Sequence, residues 1–326
     1  MDASTSSTAV PSSSPTTAPP GMSAAQLELR SGVVAGITAY VVWGFLTIYW
    51  KGLRDFAPVE LIGYRVVLST ALLLGTLAVF GRLRPLVTAL SDRRLLARVV
   101  LAALLLTANW TSYVWAVVNE NVIETALGYF MAPLGTMLIG AFVLRERLRL
   151  VHRLVIGLAA AAIAILAFGY GKVPWIALTL AATWSVYGLL KKQVRLDALE
   201  GLAAETMVLA LPAALIVALA APGAQSVPAT AGPGQLVLVG LTGVVTTVPL
   251  LLFAHAAKRV PLTVLGPMQY VVPTINFGLG WLVYHEEMTT TRIVGFALIW
   301  TALLLLTVEA VRRSRGTATS EQSSAR

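Results

Sequence analysis

The sequence predicts an all-α polytopic membrane protein, with ten transmembrane helices arranged as two inverted five-helix repeats and with both termini in the cytoplasm. Three observations predict this fold class. Hydrophobic residues make up 57% of the 326-residue chain and charged residues only 12%, whereas soluble domains carry about 25% charged residues. Ten apolar stretches are long enough, or nearly so, to cross a hydrocarbon core about 30 Å thick. The two halves of the chain also resemble each other.

The ten apolar stretches lie between two polar tails. Residues 1–30 begin with a run of Ser, Thr, Pro and Ala and predict a disordered N-terminal tail, within which Met1 and Met22 are both possible starts. Residues 312–326 predict a disordered C-terminal tail. The spans are predicted at residues 32–50, 59–80, 97–118, 122–143, 154–170, 174–190, 202–221, 235–254, 262–284 and 293–311.

The distribution of Lys and Arg predicts the orientation. The tails and the connections on one side of the spans carry 19 basic residues, and those on the other side carry 4. Basic residues concentrate in cytoplasmic loops, so both termini are expected in the cytoplasm and the protein in the inner (plasma) membrane. Because this membrane asymmetry accounts for the net charge of +9, nucleic acid is not an expected partner.

A shift of 140 residues aligns the two halves. It places the segment 129–148 over 269–288, with Pro133 on Pro273 and Glu146 on Glu286. The predicted repeats are residues 31–170 and 171–311. Since each contains five spans, the second enters the membrane from the opposite side, as in secondary transporters whose solute site lies near mid-membrane.

Pro133 and Pro273 each lie near the middle of a predicted span. A proline removes a backbone donor and clashes with the preceding turn, so it kinks or breaks a helix. Carbonyl groups freed in this way must face protein or water inside a membrane. One interpretation is a plain structural kink. The other is that both prolines shape a central cavity.

Ionisable groups inside spans are costly and usually functional. Arg65 lies in the second span and Glu124 at the start of the fourth, both in the outer half. They predict a partly buried pair, which is either a static salt bridge or an anion-binding Arg65 with a proton-titrated Glu124. Glu205 lies near the cytoplasmic end of the seventh span. It either extends to the interface or forms a proton-responsive inner gate.

Amide and aromatic side chains complete the candidate solute site. Asn109 and Gln269 lie within spans, where amides also join helices by hydrogen bonds. Aromatic rings within spans are suited to stacking on an aromatic or amphipathic solute. Rings near span ends are otherwise interfacial belt residues, which is the expectation for Trp50 and Trp281. The aromatic candidates are Trp43, Trp110, Tyr129, Trp184, Tyr187 and Tyr270.

The sequence gives little support to enzyme chemistry. The chain has no Cys, so thiolate nucleophiles and Cys-ligated metals are excluded. Every Asp lies in a tail or a loop, and the chain has no phosphate-binding P-loop. We therefore expect neither an enzyme nor a bound metal or cofactor, and an ion gradient is the remaining source of energy.

Several blocks of sequence resemble RarD-type permeases of the EamA branch of the drug/metabolite transporter superfamily. They are AYVVWGFLTIYWK (39–51), ELIGYRVVLS (60–69), NWTSYVWAVVNENVIETALGYFMAPL (109–134), GLAAETMVLALP (201–212) and GVVTTVPLLLFAHAAKRVPLTVLGPMQYVVPT (243–274). The resemblance implies ten helices in two inverted halves and transport of small solutes, usually outward. The candidate site residues that fall in these blocks are Arg65, Asn109, Trp110, Glu124, Glu205, Pro249 and Gln269. Of these, Pro249 is a third candidate helix-break position, beside Pro133 and Pro273.

The function expected from the sequence is secondary active transport by alternating access. The cargo is a small metabolite or an amphipathic drug such as chloramphenicol, moved outward, with titration of Glu124 or Glu205 linking transport to protons. The alternatives are an uncoupled facilitator, a membrane-embedded transferase or lipid-processing enzyme, and a non-transporting scaffold or sensor. The expected partners are a small-molecule substrate and membrane lipid, with monomer and homodimer both open.

Overall fold

The computed structural model describes residues 24–142, 150–170, 173–260, 264–265 and 268–324, and these residues contain helices but no β-strand. A π-helical turn, Leu279–Val283, directly follows the helix that ends at Gly278. The helices are α1 Ala24–Lys51, α2 Pro58–Val79, α3 Leu83–Ala89, α4 Arg93–Val118, α5 Val122–Phe142, α6 Leu150–Tyr170, α7 Trp175–Gln193, α8 Ala198–Ala220, α9 Val227–Thr230, α10 Pro233–Ala257, α11 Val271–Gly278 and α12 Thr290–Ser324.

Eight of the described helices are long and apolar enough to cross a membrane: α1, α2, α4, α5, α6, α8, α10 and α12. The protein is therefore a multi-pass membrane protein. The predicted sixth span corresponds to α7, which has 19 residues and a Lys-containing last turn. The predicted ninth span contains the shorter apolar segment Val271–Val283.

The helix of the predicted ninth span, 262–284, is interrupted close to the predicted helix-break position Pro273. Residues 269–270 form a turn, and a new helix begins at Val271. Pro273 lies in the first turn of α11, where its missing N–H costs no helical hydrogen bond, because the first amides of a helix have no partner within it. The interruption lies in the turn before Pro273, where a proline is expected to act, because its ring and its missing N–H affect the carbonyl four residues earlier.

The other two predicted helix-break positions do not interrupt their helices. α5 continues through Pro133 and α10 continues through Pro249. A proline within a helix removes one hydrogen bond, and tertiary packing can hold the helix together around it. Pro249 is buried in α10, which packs on both α1 and α2.

α12 continues to Ser324 and so extends into the polar segment 312–326, whose disorder stays a prediction. Extending an existing helix fixes one residue for each new hydrogen bond, which is much easier than starting a helix. The N-terminal tail lies outside the described residues up to position 23, and α1 begins at Ala24.

Helix packing follows a pattern that recurs between the two halves. α1 packs on α10 and α11, while α7 packs on α4 and α5. Under the 140-residue shift, α1 corresponds to α7, α4 to α10, and α5 to the region of α11. α2 packs on its counterpart α8, and α6 packs on its counterpart α12. These contacts between helices of different halves therefore each have an equivalent contact or are their own equivalent.

Small residues allow the closest of these contacts. A Cβ atom at Gly44 on α1 would lie 2.7 Å from Cδ1 of Ile275 on α11. A Cβ atom at Gly135 on α5 would collide with Oγ of Ser185 on α7. Close helix approach through small residues is a usual packing mode of membrane helices. The outer surface of the bundle instead exposes large apolar side chains, such as Val79, Phe168 and Leu211, which suit a lipid environment.

One ion cluster joins the end of α2 to the start of α8. Asp197 is the N-cap of α8 and accepts a hydrogen bond from the Glu200 amide at 2.9 Å. Arg82 Nη2 lies 2.5 Å from Asp197 Oδ2 and 2.6 Å from Glu200 Oε1. Burial acts to raise the pKa of Asp197, but the Glu200 amide and Arg82 outweigh it and hold the pKa below its ordinary value.

Asp197→Ala is expected to lower stability by about 1–2 kcal/mol, because it removes a helix cap together with an ion pair. Since the folded-state pKa is depressed, this contribution is complete above the unfolded-state pKa of about 3.9 and is lost as pH falls below it. Thermal unfolding in detergent at neutral and acidic pH measures both effects. Asp92→Ala is the control, because Asp92 caps α4 through the Arg94 amide and forms no ion pair in the described residues. Equal losses in the two variants would contradict a role for Arg82.

Candidate functional site

Buried and half-buried polar side chains from seven helices form a connected group inside the bundle, which we call the central polar cluster. The members are contributed by α1, α2, α4, α5, α7, α10 and α11, so both halves of the chain take part. The cluster consists of Thr47, Arg65, Asn109, Tyr113, Tyr129, Thr183, Thr246 and Asn276.

Two chains of hydrogen bonds run through the cluster. In the first, the hydroxyls of Tyr113 and Thr47 are 2.9 Å apart, and Thr47 Oγ1 donates to Asn276 Oδ1 at 2.9 Å. In the second, Tyr129 OH donates to Asn109 Oδ1 at 3.1 Å, and Asn109 Nδ2 donates to Thr183 Oγ1 at 3.0 Å. The Tyr113 and Tyr129 rings connect the two chains, with centroids 5.9 Å apart.

Arg65 supplies the charge of the cluster. Its side chain is 5% exposed, and Nε donates to Thr246 Oγ1 at 3.0 Å. The guanidinium carbon lies 3.8 Å from the Trp110 ring centroid and 5.4 Å from that of Trp50. Within the described residues, no carboxylate lies at ion-pairing distance from Arg65. An arginine stacked on indole rings and lacking a carboxylate partner is arranged to receive an anion.

The ion pair predicted between Arg65 and Glu124 is wrong. Glu124 Oε1 instead accepts from the amides of Ile176 and Ala177, at 3.1 and 3.4 Å. These amides belong to the first turn of α7, where unpaired N–H groups and the helix dipole attract a carboxylate. Glu124 therefore anchors α5 to α7 and does not neutralise Arg65.

Glu205 belongs to a separate buried group. Its side chain is 1% exposed and lies 2.9 Å from Lys191 Nζ, and Tyr187 OH donates to its other oxygen at 3.0 Å. Glu205 therefore does not extend to the interface, which was one of the two expectations for it. Lys191 lies in the last turn of α7 and is partly exposed, so the ion pair has one buried member and one member that reaches the protein surface.

The remaining predicted residues are distributed around the cluster. Trp110 is part of its wall, and Trp184 lies between Tyr129 and Tyr187, with ring centroids 6.2 and 5.7 Å away. Trp43 belongs to a different aromatic group with Tyr40 and Phe253. Tyr270 is stacked on Phe130, and Gln269 is half-buried in the turn before α11.

Sequence reasoning missed several cluster members. Trp50 was expected at the membrane interface but is fully buried beside Arg65. Thr47 and Thr246 are single hydroxyl residues in apolar stretches, and composition gives no signal for them. The sequence spacing does give a signal for Thr47, because Thr47 precedes Trp50 by three positions and therefore lies on the same helix face.

Glu286 holds the start of α5 in place. Its two carboxylate oxygens accept from the amides of Val122 at 2.6 Å and Ile123 at 2.9 Å. Burial raises the pKa of Glu286, although both amide hydrogen bonds act to lower it. Its predicted repeat partner, Glu146, lies outside the described residues.

Glu286→Gln is expected to lower stability by about 1–2 kcal/mol, because an amide side chain has one acceptor oxygen for two backbone donors. The melting temperature in detergent measures this effect. Glu287→Gln provides the control, since that neighbouring carboxylate is exposed. The capping role would be contradicted by equal melting temperatures of the Glu286→Gln variant and the wild type.

Comparison with known proteins identifies the chain's relatives. A model of the EamA-like transporter family matches residues 30–168 and again 172–308. "Protein RarD" of Streptomyces exfoliatus is 44% identical over 89% of this chain and 92% of its own length. "Uncharacterized transporter YojE" of Bacillus subtilis is 35% identical over 88% and 97%, respectively.

A solved crystal structure shares the fold. It matches 86% of this chain and 98% of its own, with a TM-score of 0.56 and 20% sequence identity. The family and the relatives named as transporters indicate a transporter and not an enzyme. The chain belongs to the EamA-like transporter family, and within it to the RarD-type permeases of the drug/metabolite transporter superfamily.

Proposed function

We propose that the protein is a secondary active transporter that moves a small metabolite or an amphipathic drug, such as chloramphenicol, outward across the plasma membrane. The observation that carries this proposal is the central polar cluster, because a buried polar group built from both halves is where an alternating-access transporter binds its cargo. Arg65, Asn109, Trp110 and Tyr129 are the proposed solute contacts within it. The surrounding lipid is the other proposed partner.

The proposed topology has ten spans in two inverted repeats, with both termini in the cytoplasm. It is supported by the recurrence of helix contacts between the halves. The close contact of Gly44 with Ile275 and that of Gly135 with Ser185 occupy equivalent positions under the repeat. The excess of basic residues on one side supports the orientation. In this topology α7 and the segment 271–283 form the sixth and ninth spans.

The proposed proton link uses Glu205 or Glu124. Glu205 is the more favourable of the two, because it is buried with Lys191 and hydrogen-bonded to Tyr187, next to Trp184 at the border of the cluster. Protonating this carboxylate would remove its attraction to Lys191 and thereby change the contact between α7 and α8. Loss of this contact is the proposed chemical trigger for rearrangement of one half against the other.

The test compares the small molecules released by a deletion host that carries an empty vector, the wild type or Arg65→Ala at matched membrane expression. The wild type is expected to enrich the medium in particular solutes, and Arg65→Ala is expected to lose that enrichment. Arg84→Ala is the control, because Arg84 is exposed on α3. A medium that is the same with the wild type and with the empty vector contradicts outward transport. Release that persists after a protonophore collapses the gradient favours the uncoupled facilitator.

A further inference from the structure

Several buried polar atoms in and beside the central polar cluster lack a hydrogen-bond partner in the part of the chain that the structure describes. Trp50 Nε1 and Asn276 Nδ2 are fully buried and have no hydrogen-bond partner within the described residues. The terminal amino groups of Arg65 likewise donate no hydrogen bond there, since its one hydrogen bond comes from Nε. Buried polar groups are normally paired, so Trp50 Nε1 and Asn276 Nδ2 mark positions where acceptor atoms are missing, and the terminal amino groups of Arg65 offer further donors.

Three of the nearby acceptor oxygens already have donors, whereas the hydroxyls of Ser69 on α2 and Thr247 on α10 are buried and have no partner within the described residues. Thr246 Oγ1 accepts from Arg65, Asn276 Oδ1 accepts from Thr47, and Asn109 Oδ1 accepts from Tyr129. The unpaired donors also lie near one another in the fold. The Trp50 ring lies against the guanidinium, and Asn276 is bonded to Thr47, one turn before Trp50 on α1. A ligand that supplies acceptors can therefore satisfy these donors and also the Ser69 and Thr247 hydroxyls, each of which can donate.

The charge of the cluster leads to the same conclusion. Arg65 is buried and has no carboxylate partner in the described residues, whereas Lys191 is paired with Glu205. The cluster thus carries one uncompensated positive charge, which is costly in a membrane interior. The Trp110 and Trp50 rings compensate for part of that cost. A carboxylate would neutralise the charge and offer about four acceptor positions, in a planar shape that matches the guanidinium.

We propose that the central polar cluster binds small monovalent organic carboxylates, with Arg65 holding the carboxylate and the donors of Trp50 and Asn276 completing its coordination. The inference rests on the proposed transport function and narrows its small-metabolite class to carboxylates, so a neutral drug such as chloramphenicol is not a ligand of this site. A cationic amine would meet Arg65 with like charge. A zwitterion would bring a second charge for which the cluster has no carboxylate partner, and a neutral solute would leave Arg65 unneutralised.

The test measures binding of four phenyl compounds to the purified full-length protein in detergent. They are phenylacetate, its neutral analogue phenylacetamide, zwitterionic phenylalanine and cationic phenethylamine. The phenyl ring suits the Trp110, Tyr113 and Tyr129 rings around Arg65. Phenylacetate is expected to bind at least about tenfold more tightly than each of the others, which corresponds to about 1.4 kcal/mol. Calorimetric titration gives the affinities.

Three outcomes overturn the proposal: equal binding of phenylacetate and phenylacetamide, preference for phenylalanine or phenethylamine, or no binding of any compound to the wild type. Two variants test the residues. Arg65→Gln and Asn276→Asp are both expected to abolish the preference for phenylacetate. The first removes the cation, and the second places a carboxylate of the protein itself in the cluster, which neutralises Arg65. If Arg65→Gln fails to fold, Asn276→Asp and the wild-type series still decide the question.

The release experiment separates this proposal from the proposed function. If cells carrying the wild type enrich the medium in neutral or cationic solutes, outward transport stands and the carboxylate class is wrong. If phenylacetate binds in an Arg65-dependent way but no solute is released, the binding site stands and outward transport is wrong.

Discussion

Lys191→Met is expected to lower the stability of the protein by about 3–5 kcal/mol, because it leaves the Glu205 carboxylate buried without its cation. Glu205 is 1% exposed and lies 2.9 Å from Lys191 Nζ, with Tyr187 as its other partner. Methionine keeps most of the length and apolar volume of the lysine stem. The expected loss therefore comes from the stranded charge and not from a cavity.

A double-mutant cycle isolates this interaction. The melting temperatures of Lys191→Met, Glu205→Gln and the double variant are measured in detergent, and the double variant is expected to be more stable than Lys191→Met alone. Glu120→Gln is the matched control, since Glu120 pairs with Lys51 at 3.8 Å but is 75% exposed. Exposed pairs contribute little, so this variant is expected to melt like the wild type. Additive losses in the cycle would contradict a coupled pair.

Gly243→Val is expected to lower stability by about 3 kcal/mol, because α10 crosses α2 at this glycine without room for a side chain. A Cβ atom there would lie 2.8 Å from both the carbonyl carbon and the oxygen of Leu68, and 3.1 Å from the amide nitrogen of Ser69. These are backbone atoms, so no change of rotamer relieves the clash. The two helices would have to separate, and overpacking of this kind typically costs about 1–3 kcal/mol or more.

Gly240→Val provides the control on the same helix. A Cβ atom at Gly240 meets nothing within 4 Å, so the substitution changes helix propensity without a steric clash and is expected to be close to neutral. Thermal unfolding and the size-exclusion profile in detergent measure both variants. The separation of α2 from α10 would also displace Arg65 from Thr246, so solute binding is expected to weaken in Gly243→Val only. Equal behaviour of the two variants would show that the contact of α10 with Leu68 is not close in the folded protein.

Sequence reasoning identified the candidate residues better than the contacts among them. Arg65, Asn109, Trp110 and Tyr129 were selected because polar and aromatic groups within apolar spans need a reason to be there, and the structure brings all four together. Their solute-binding role stays a prediction. The assumed partner of Arg65 was wrong, since two residues predicted at similar depth can face different helices. Glu124 faces the start of α7, a position that no local pattern encodes.

The difference between what the sequence shows and what packing decides also explains the outcome at the three predicted helix-break prolines. The sequence indicates where a backbone donor is missing, but whether the helix continues depends on the neighbours. α5 and α10 continue through Pro133 and Pro249 because packing holds them. Of the three predicted positions, the one at Pro273 has an interruption, at residues 269–270 in the turn before the proline.

By itself, the sequence determined that this is a multi-pass helical membrane protein of a transporter family, because apolar composition and recurrent sequence blocks are properties of the chain and need no knowledge of distant contacts. Tertiary structure alone decided which polar groups meet. It paired Glu205 with Lys191, assigned Glu286 to the start of α5, and left Arg65 among indole rings and unpaired donors. The physical reason is that hydrogen bonds and ion pairs act over a few ångströms, so their partners are set by the packing of helices that are far apart in the chain.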